Sequence, residues 1–148
     1  MIILCEKRVR VPMSDHLKEV SPAAVLLRRE IISVDARLGE VKLRFLADQQ
    51  FANRHGTVQG GMLAAMLDSA TGNAVIAMLP SDRTAVTTRL DTTFVKPAAL
   101  GSLTAIARLV EQDERSASAE AELFDSSGQI VARARAELRI RERPNKRA

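Results

Sequence analysis

Residues 60–79 constrain the fold most, because their apolar side chains recur at intervals of three and four. That spacing predicts a helix with one buried stripe. Pro80 follows directly and cannot continue a helix, so the predicted helix ends at Leu79. The residues of the stripe are Leu63, Leu67, Ala70 and Ala74.

Two shorter segments before the helix have the alternation of strands. Residues 30–37 and 40–46 flank Leu38-Gly39, a pattern typical of a β-hairpin. One face of this hairpin is expected to point into the core. The residues predicted on that face are Ile32, Val34, Ala36, Val41, Leu43 and Phe45.

Four more extended segments follow the helix and are separated by turn signals. In the last of them, Ala134 and Leu138 face one way while Arg135 and Arg139 face the other. Because antiparallel neighbours need only short connections, these segments predict a four-strand meander. The segments are residues 84–95, 102–110, 115–124 and 130–141.

One apolar helix and about six strands pack economically when the sheet curls around the helix. We therefore expect an α+β fold, with an antiparallel sheet of about six strands wrapped around one long central helix. The 148 residues suit one domain, predicted to span residues 24–141. Residues 1–23 are expected to form an N-terminal extension, partly helical or disordered, and residues 142–148 a basic C-terminal tail.

Composition excludes several classes of protein. The net charge of +4 comes from basic residues near the two ends, and four Phe with no Trp or Tyr offer few surfaces for base stacking. Nucleic-acid binding is therefore not expected. No segment has the pattern of a membrane span or a secretory signal, and Cys5 is the single cysteine. These features predict a cytoplasmic protein without membrane contact.

Asp68 is the only formal charge between Arg54 and Asp82, and it lies in the middle of the predicted helix. An aspartate inside a helix is unfavourable and an unpaired buried carboxylate is costly, so a compensating role is expected. At 100° per residue, Asp68 lies about 140° from Leu63, on a face of small residues that includes Gly72. A ligand or a partner could approach there; the other interpretation is an ordinary solvated helix face.

Gly60 and Gly61 open the same helix, where backbone N–H groups are free and the helix dipole is positive. Such a site can hold an oxyanion, although two glycines could simply ease a tight turn. Neither G-x-x-x-x-G-K-[ST] nor G-x-G-x-x-G is present, which excludes the common nucleotide-binding loops.

The segment from Asn53 to Asp68, read as N-x-x-G-x-x-Q-G-G-x-x-x-x-x-x-D, resembles the acyl-CoA thioesterases of the PaaI-like hotdog group. In that group an antiparallel sheet wraps a helix. The helix ending before Pro80, the strand through Thr87 into Phe94 and the three later strands match that layout. The resemblance covers residues 24–141.

The resemblance implies hydrolysis of an acyl-CoA thioester to a free acid and CoA. Asp68 matches the catalytic carboxylate, as nucleophile or as general base, and the Gly60 N–H matches the donor that polarises the carbonyl. Asn53 matches a residue that orients the site, and Thr87 a Ser/Thr position that holds the water or the carboxylate. The family builds its site across a dimer, so a homodimer or a dimer of dimers (homotetramer) is implied. Asn53 and Gly60 would come from one subunit, with Asp68 and Thr87 from the other.

The chain departs from the family at Gln59, where the commonest pattern has histidine. Glutamine can donate a hydrogen bond but cannot titrate. Thiolate leaves with little acid assistance, so loss of the histidine need not abolish hydrolysis; a non-catalytic acyl-CoA-binding module is the alternative. His55 is interpreted as a surface loop residue, and His16 has no evident partner in the sequence.

Substrate contacts are expected from Gln59 and Gly61 at the helix start. CoA phosphates could meet basic residues, with Lys96 and Arg89 as the predicted binders, although a solvated charge at a strand edge is the competing interpretation. No cofactor and no metal are expected, since the two histidines are far apart in sequence. The remaining basic candidates are Arg54 and Arg83.

Overall fold

A computed structural model describes residues 15–145. Cys5 and the rest of residues 1–14, and residues 146–148 of the basic tail, lie outside the described residues. The division of the chain into extension, domain and tail stays a prediction. The elements are α1 (Asp15–Lys18), α2 (Pro22–Leu26), β1 (Glu30–Asp35), β2 (Glu40–Ala47), a 3₁₀ turn (Gln49–Phe51), α3 (Gly60–Ile76), β3 (Arg83–Phe94), β4 (Gly101–Gln112), β5 (Ser116–Phe124) and β6 (Ile130–Glu142).

The strands form one six-stranded sheet in the order β1-β2-β4-β5-β6-β3, and each pair is antiparallel. Helix α3 packs against five of these strands, β2 to β6. This arrangement confirms the predicted α+β fold, a sheet wrapped around one long helix. No helix within residues 15–145 is long and apolar enough to cross a membrane.

The prediction of a four-strand meander is wrong for β3. This strand pairs with β6, from Arg83↔Glu142 to Phe94↔Ala132. Strand β4 has no free edge, because β2 occupies one side of it and β5 the other. The segment that follows β3 contacts the segment that precedes α3. The Val58 N–H donates to the Ala98 carbonyl at 2.9 Å.

The predicted inward face of the first strand is also partly wrong. The pairing of β1 with β2 shifts register between Ile31 and Ser33. Because of this irregularity Ile31 and Val34 pack on the core, whereas Ile32 is 42% exposed. Ala36 lies beyond the strand and is exposed. The predicted inward residues of β2 are all fully buried: Val41, Leu43 and Phe45.

The buried stripe of α3 is confirmed, since Leu67, Ala70 and Ala74 are fully buried. The helix ends at Ile76 rather than at Leu79. Residues 77–79 wind more tightly, and the Leu79 N–H donates to the carbonyl three residues earlier at 3.1 Å. Alanines fill the sheet surface beneath the helix, which suits close approach of the two layers: Ala105, Ala107, Ala119, Ala121 and Ala136.

Candidate active site

An aspartate on helix α3 and a threonine on strand β3 are in direct contact. The Thr87 Oγ1 hydroxyl on β3 donates a 2.7 Å hydrogen bond to Oδ1 of Asp68 on α3. Asp68 is exposed, and within residues 15–145 it forms no ion pair. The second carboxylate oxygen, Oδ2, is therefore available to a ligand.

A bulge in β3 places Thr87 on the helix side of the sheet. The pairing with β6 aligns Thr87 with Leu138 and Arg89 with Glu137, so Thr88 is the extra residue. The Thr88 hydroxyl donates to the Glu137 carbonyl on β6 at 3.1 Å rather than to Asp68. Local sequence alternation gives no sign of this bulge.

Asp68 and Thr87 line a cavity of about 880 Å³. Its floor is one face of α3, where the small residues Ala65 and Gly72 leave space, as the spacing predicted. One wall is β3, and the other is the N-terminal segment with α1 and α2. The helix and strand residues are Ala65, Asp68, Ser69, Gly72, Asn73, Ile76, Ala85, Val86 and Thr87.

The N-terminal wall of this cavity contains two basic side chains, Arg29 and His16, that the sequence did not assign to the site. Arg29 donates to Ser69 Oγ at 3.5 Å and to the Glu19 carbonyl at 3.3 Å. Burial lowers the pKa of Arg29 below its ordinary value. Burial also lowers the pKa of His16, and the charge of Arg143 lowers it further while Glu19 opposes the shift. Neither residue stands in a recognisable motif, so only the fold could reveal their position.

Gly60 belongs to a second cavity, of about 420 Å³. The N–H groups of Met62 and Leu63 donate to the Gln59 carbonyl, whereas those of Gly60 and Gly61 make no backbone hydrogen bond in the described part of the chain. The Phe94 ring lies 3.4 Å from the position that a Cβ on Gly60 would occupy. The lining residues are Asn53, His55, Thr57, Val58, Gly60, Leu63, Phe94, Val95, Lys96 and Pro97.

Gln59 is the N-cap residue of α3, yet its side chain makes no capping hydrogen bond and is exposed. Its backbone is well held, because the Gln59 N–H donates to the Phe51 carbonyl at 2.8 Å. The amide side chain is therefore free to contact a ligand. Gly61 beside it is also exposed, with open space around its Cα.

Asn53 organises the loop that precedes the helix. Its Oδ1 accepts the N–H groups of His55 at 2.9 Å and Thr57 at 3.2 Å, and its Nδ2 donates to Thr57 Oγ1 at 2.8 Å. One Nδ2 hydrogen remains for a ligand. His55 is exposed in this loop, as its position in the sequence suggested.

The two predicted phosphate binders are engaged with neighbouring groups. Lys96 Nζ lies 3.0 Å from Asp125 and also donates to Gln129. The Gln129 N–H, the Ser127 hydroxyl and Lys96 hold the pKa of Asp125 well below its usual range. Arg89 Nε lies 3.1 Å from Asp91, but both side chains are more than half exposed, so this pair is weak.

Within one chain the predicted site residues form two groups. Thr87 joins Asp68, and Asn53 joins Gly60. Asp68 lies eight positions after Gly60 on α3, which is about 12 Å along the helix axis. The structure of a single chain does not bring the two groups together.

A family model described as the thioesterase superfamily matches residues 55–132, more than half of the chain. The match contains the start of α3, Asp68 and Thr87. A search of curated proteins found no match.

Several solved structures are similar over most of their length. A phenylacetic acid degradation-related protein of Ralstonia eutropha JMP134, described as a proposed thioesterase, is 34% identical, with TM-score 0.78 and coverage of 84% of this chain and 96% of that chain. The Escherichia coli PaaI protein of the phenylacetic acid degradation operon is 25% identical, with TM-score 0.75 and coverage of 84% and 87%. A Bacillus halodurans protein solved with CoA is 27% identical, with TM-score 0.72 and coverage of 85% and 80%. The chain therefore belongs to the thioesterase superfamily, as a PaaI-like hotdog protein that hydrolyses thioesters.

Proposed function

We propose that the protein is an acyl-CoA thioesterase in which Asp68 is the catalytic carboxylate. The observation that carries the proposal is the 2.7 Å hydrogen bond from Thr87 to Asp68 at the wall of an open cavity. A similar Bacillus halodurans protein was solved with CoA, which favours CoA as the thiol part of the substrate.

Asp68 either attacks the thioester carbonyl or removes a proton from the water that attacks it. Thr87 fixes one oxygen of the carboxylate and leaves Oδ2 directed to the substrate. The leaving group is a thiolate, which departs without much help from an acid. The absence of a titrating residue at Gln59 is therefore compatible with turnover.

The Gly60 N–H stabilises the negative charge that develops on the carbonyl oxygen. In the part of the chain that the structure describes, this group has no backbone partner, and it stands at the positive end of the α3 dipole. One such donor contributes about 2.7 to 4 kcal/mol in other enzymes. We assign to the Gln59 side chain and to the remaining Asn53 amide hydrogen the role of orienting the thioester.

The complete site needs two copies of the chain. A reacting carbonyl has to lie about 3 Å from both its nucleophile and its oxyanion donor. Gly60 and Asp68 of one chain are about 12 Å apart along the helix axis, so one copy supplies Asp68 and Thr87 while the other supplies Gly60 and Asn53. A homodimer, alone or as half of a dimer of dimers, meets this requirement.

Strand β3 supports such a dimer. Among the described residues 15–145 it is an edge strand of the sheet, and no other strand pairs with its outer side. Exposed apolar side chains accompany this edge: Val86 at 44%, Phe94 at 53% and Val95 at 46%. Burial of this edge against a second copy would bring the Gly60 cavity beside the Asp68 cavity.

Three basic residues would receive the CoA phosphates, one of them from the wall of the Gly60 cavity. Lys96 lines that cavity, and its Nζ lies 3.0 Å from Asp125. Arg89 and Arg54 are exposed and can turn toward a phosphate, and Gly61 leaves room for the chain of CoA to pass.

The test measures the free thiol released from a panel of acyl-CoA esters by the wild type and by Asp68→Asn. The substitution keeps the shape and the hydrogen bond from Thr87, but removes the negative charge. We expect kcat to fall about 10²- to 10⁴-fold, while Asp82→Asn, an exposed aspartate outside both cavities, retains wild-type activity.

Equal hydrolysis by the wild type and Asp68→Asn would remove Asp68 from the mechanism. Binding of acyl-CoA without thiol release by either protein would favour the binding module over the acyl-CoA hydrolase.

A further inference from the structure

The cavity that holds Asp68 also holds a guanidinium group. Arg29 follows α2 and reaches across the N-terminal wall to Ser69, the residue after Asp68 on α3. Its side chain is partly buried, and burial lowers its pKa. Arginine nevertheless stays charged in proteins, so the cavity contains a partly desolvated cation.

Arg29 has no anionic partner within residues 15–145. Its two hydrogen bonds go to neutral acceptors, the Ser69 hydroxyl and the Glu19 backbone carbonyl. The Glu19 carboxylate pairs with Arg143 instead. A guanidinium has five N–H donors in a planar fork, so most of its capacity is unused.

Removing a cation from water without a counter-charge is unfavourable, and an incoming carboxylate would reverse that cost. Carboxylates bind arginine through two parallel hydrogen bonds, which are stronger than neutral ones. The empty donors of Arg29 therefore fit a carboxylate ligand.

We propose that Arg29 binds a carboxylate at the far end of the acyl group, and that the enzyme prefers acyl-CoA esters of dicarboxylic acids. This inference rests on the proposed function of Asp68. Arg29 is a specificity-determining residue here and takes no part in the chemical step.

The position of Arg29 favours the acyl group over the CoA phosphates as the source of the anion. Ser69 directly follows Asp68, and neighbouring Cα atoms are about 3.8 Å apart. The thioester carbonyl has to sit against Asp68. The phosphates of CoA are separated from that carbonyl by the whole pantetheine arm, whereas the end of a short acyl chain lies within reach of Ser69 and Arg29.

Part of the cavity lining suits a methylene chain. Four apolar residues belong to that lining, so an acyl chain could bury its CH₂ groups while its terminal carboxylate meets Arg29. The apolar lining residues are Ala24, Leu27, Ile76 and Ala85.

The experiment compares adipyl-CoA with hexanoyl-CoA, which differ in the terminal carboxylate. Arg29→Gln keeps hydrogen-bond donors and removes the charge. The matched control is Arg28→Gln, because Arg28 is adjacent, pairs with Asp48 at 3.3 Å and lies outside the cavity.

We expect the wild type to prefer adipyl-CoA. Arg29→Gln should lower kcat/KM for adipyl-CoA about 10- to 100-fold, mainly through KM, and leave hexanoyl-CoA within about twofold. Arg28→Gln should change neither substrate. Calorimetric titration with free adipate should show binding to the wild type and its loss in Arg29→Gln, a readout that needs no turnover.

A wild type without preference for adipyl-CoA would overturn the inference. So would an equal loss for both substrates in Arg29→Gln, which would indicate a structural contact or a phosphate contact; a weaker inhibition by free CoA would identify the phosphate. Failure of the wild type to cleave any acyl-CoA would instead refute the proposed function, and adipate binding would still report on Arg29.

Discussion

The Thr87 hydroxyl on β3 donates a 2.7 Å hydrogen bond to the Asp68 carboxylate on α3. We expect Thr87→Val to lower kcat about 10- to 150-fold, because a hydrogen bond to a charged group is worth about 1.5 to 3 kcal/mol. Thr87→Ser should retain most of the activity, since it keeps the hydroxyl. Steady-state kinetics on one acyl-CoA would measure both effects.

The matched control for this substitution is Thr88→Val. Thr88 is the next residue on the same strand, and its hydroxyl donates to the Glu137 carbonyl rather than to Asp68. Equal kinetic losses in Thr87→Val and Thr88→Val would show that the strand, and not the hydrogen bond to Asp68, is responsible.

The N–H of Gly60 can be removed without breaking the helix. Gly60 is the first residue of α3, where proline is well tolerated because its φ angle is already helical. Gly60→Pro should lower kcat about 10²- to 10³-fold by deleting the oxyanion donor. Gly60→Ala keeps the N–H, and its Cβ would meet Phe94 at an ordinary 3.4 Å, so most activity should remain. Full activity in Gly60→Pro would refute the role of this amide.

A site shared by two copies allows one defective chain to complement another. Asp68→Asn and Gly60→Pro homodimers should both be nearly inactive. In a mixed dimer one site carries both defects and the other carries neither, so an equal mixture of exchanged subunits should recover about a quarter of wild-type activity. Activity that stays at the level of the separate variants would show that each site lies within one chain.

His16 should make stability depend on pH. Its pKa is lowered in the folded protein from the ordinary 6.5, chiefly by burial and then by Arg143, with Glu19 opposing. The unfolded chain therefore binds the proton more readily, and the contribution is present above pH 6.5 and is lost as pH falls through the folded pKa.

Urea unfolding at pH 7.5 and at pH 5 measures this dependence. We expect a smaller loss of unfolding free energy in His16→Asn than in the wild type between these two values of pH. The same loss in both proteins would assign the pH dependence to other groups.

The elements of the fold could be predicted from local sequence, whereas the partner of β3 could not. Alternation in residues 130–141 and helical spacing in residues 60–79 are local properties; the strand and the helix are both confirmed, although the helix ends at Ile76. The pairing of β3 with β6 joins Arg83 to Glu142, and such a distant pairing depends on which strand edges the other strands leave free.

The candidate site also contains one residue that the sequence could predict and one that it could not. Asp68 stands out in sequence because it is the only charge in a long apolar stretch. Arg29 is one arginine among many, and its contact with Ser69 spans 40 positions of sequence. Only the packing of the N-terminal segment on α3 distinguishes it from a solvated charge.

The extra residue in β3 has a consequence for aligning this chain with its relatives. Leu90 and Thr92 lie on the more buried side of the strand, and counting back from them in twos would select Thr88 as the residue that contacts the helix. The bulge gives that place to Thr87. An alignment that opens a gap one position too late would equate the wrong threonine with the hydroxyl residue of a relative.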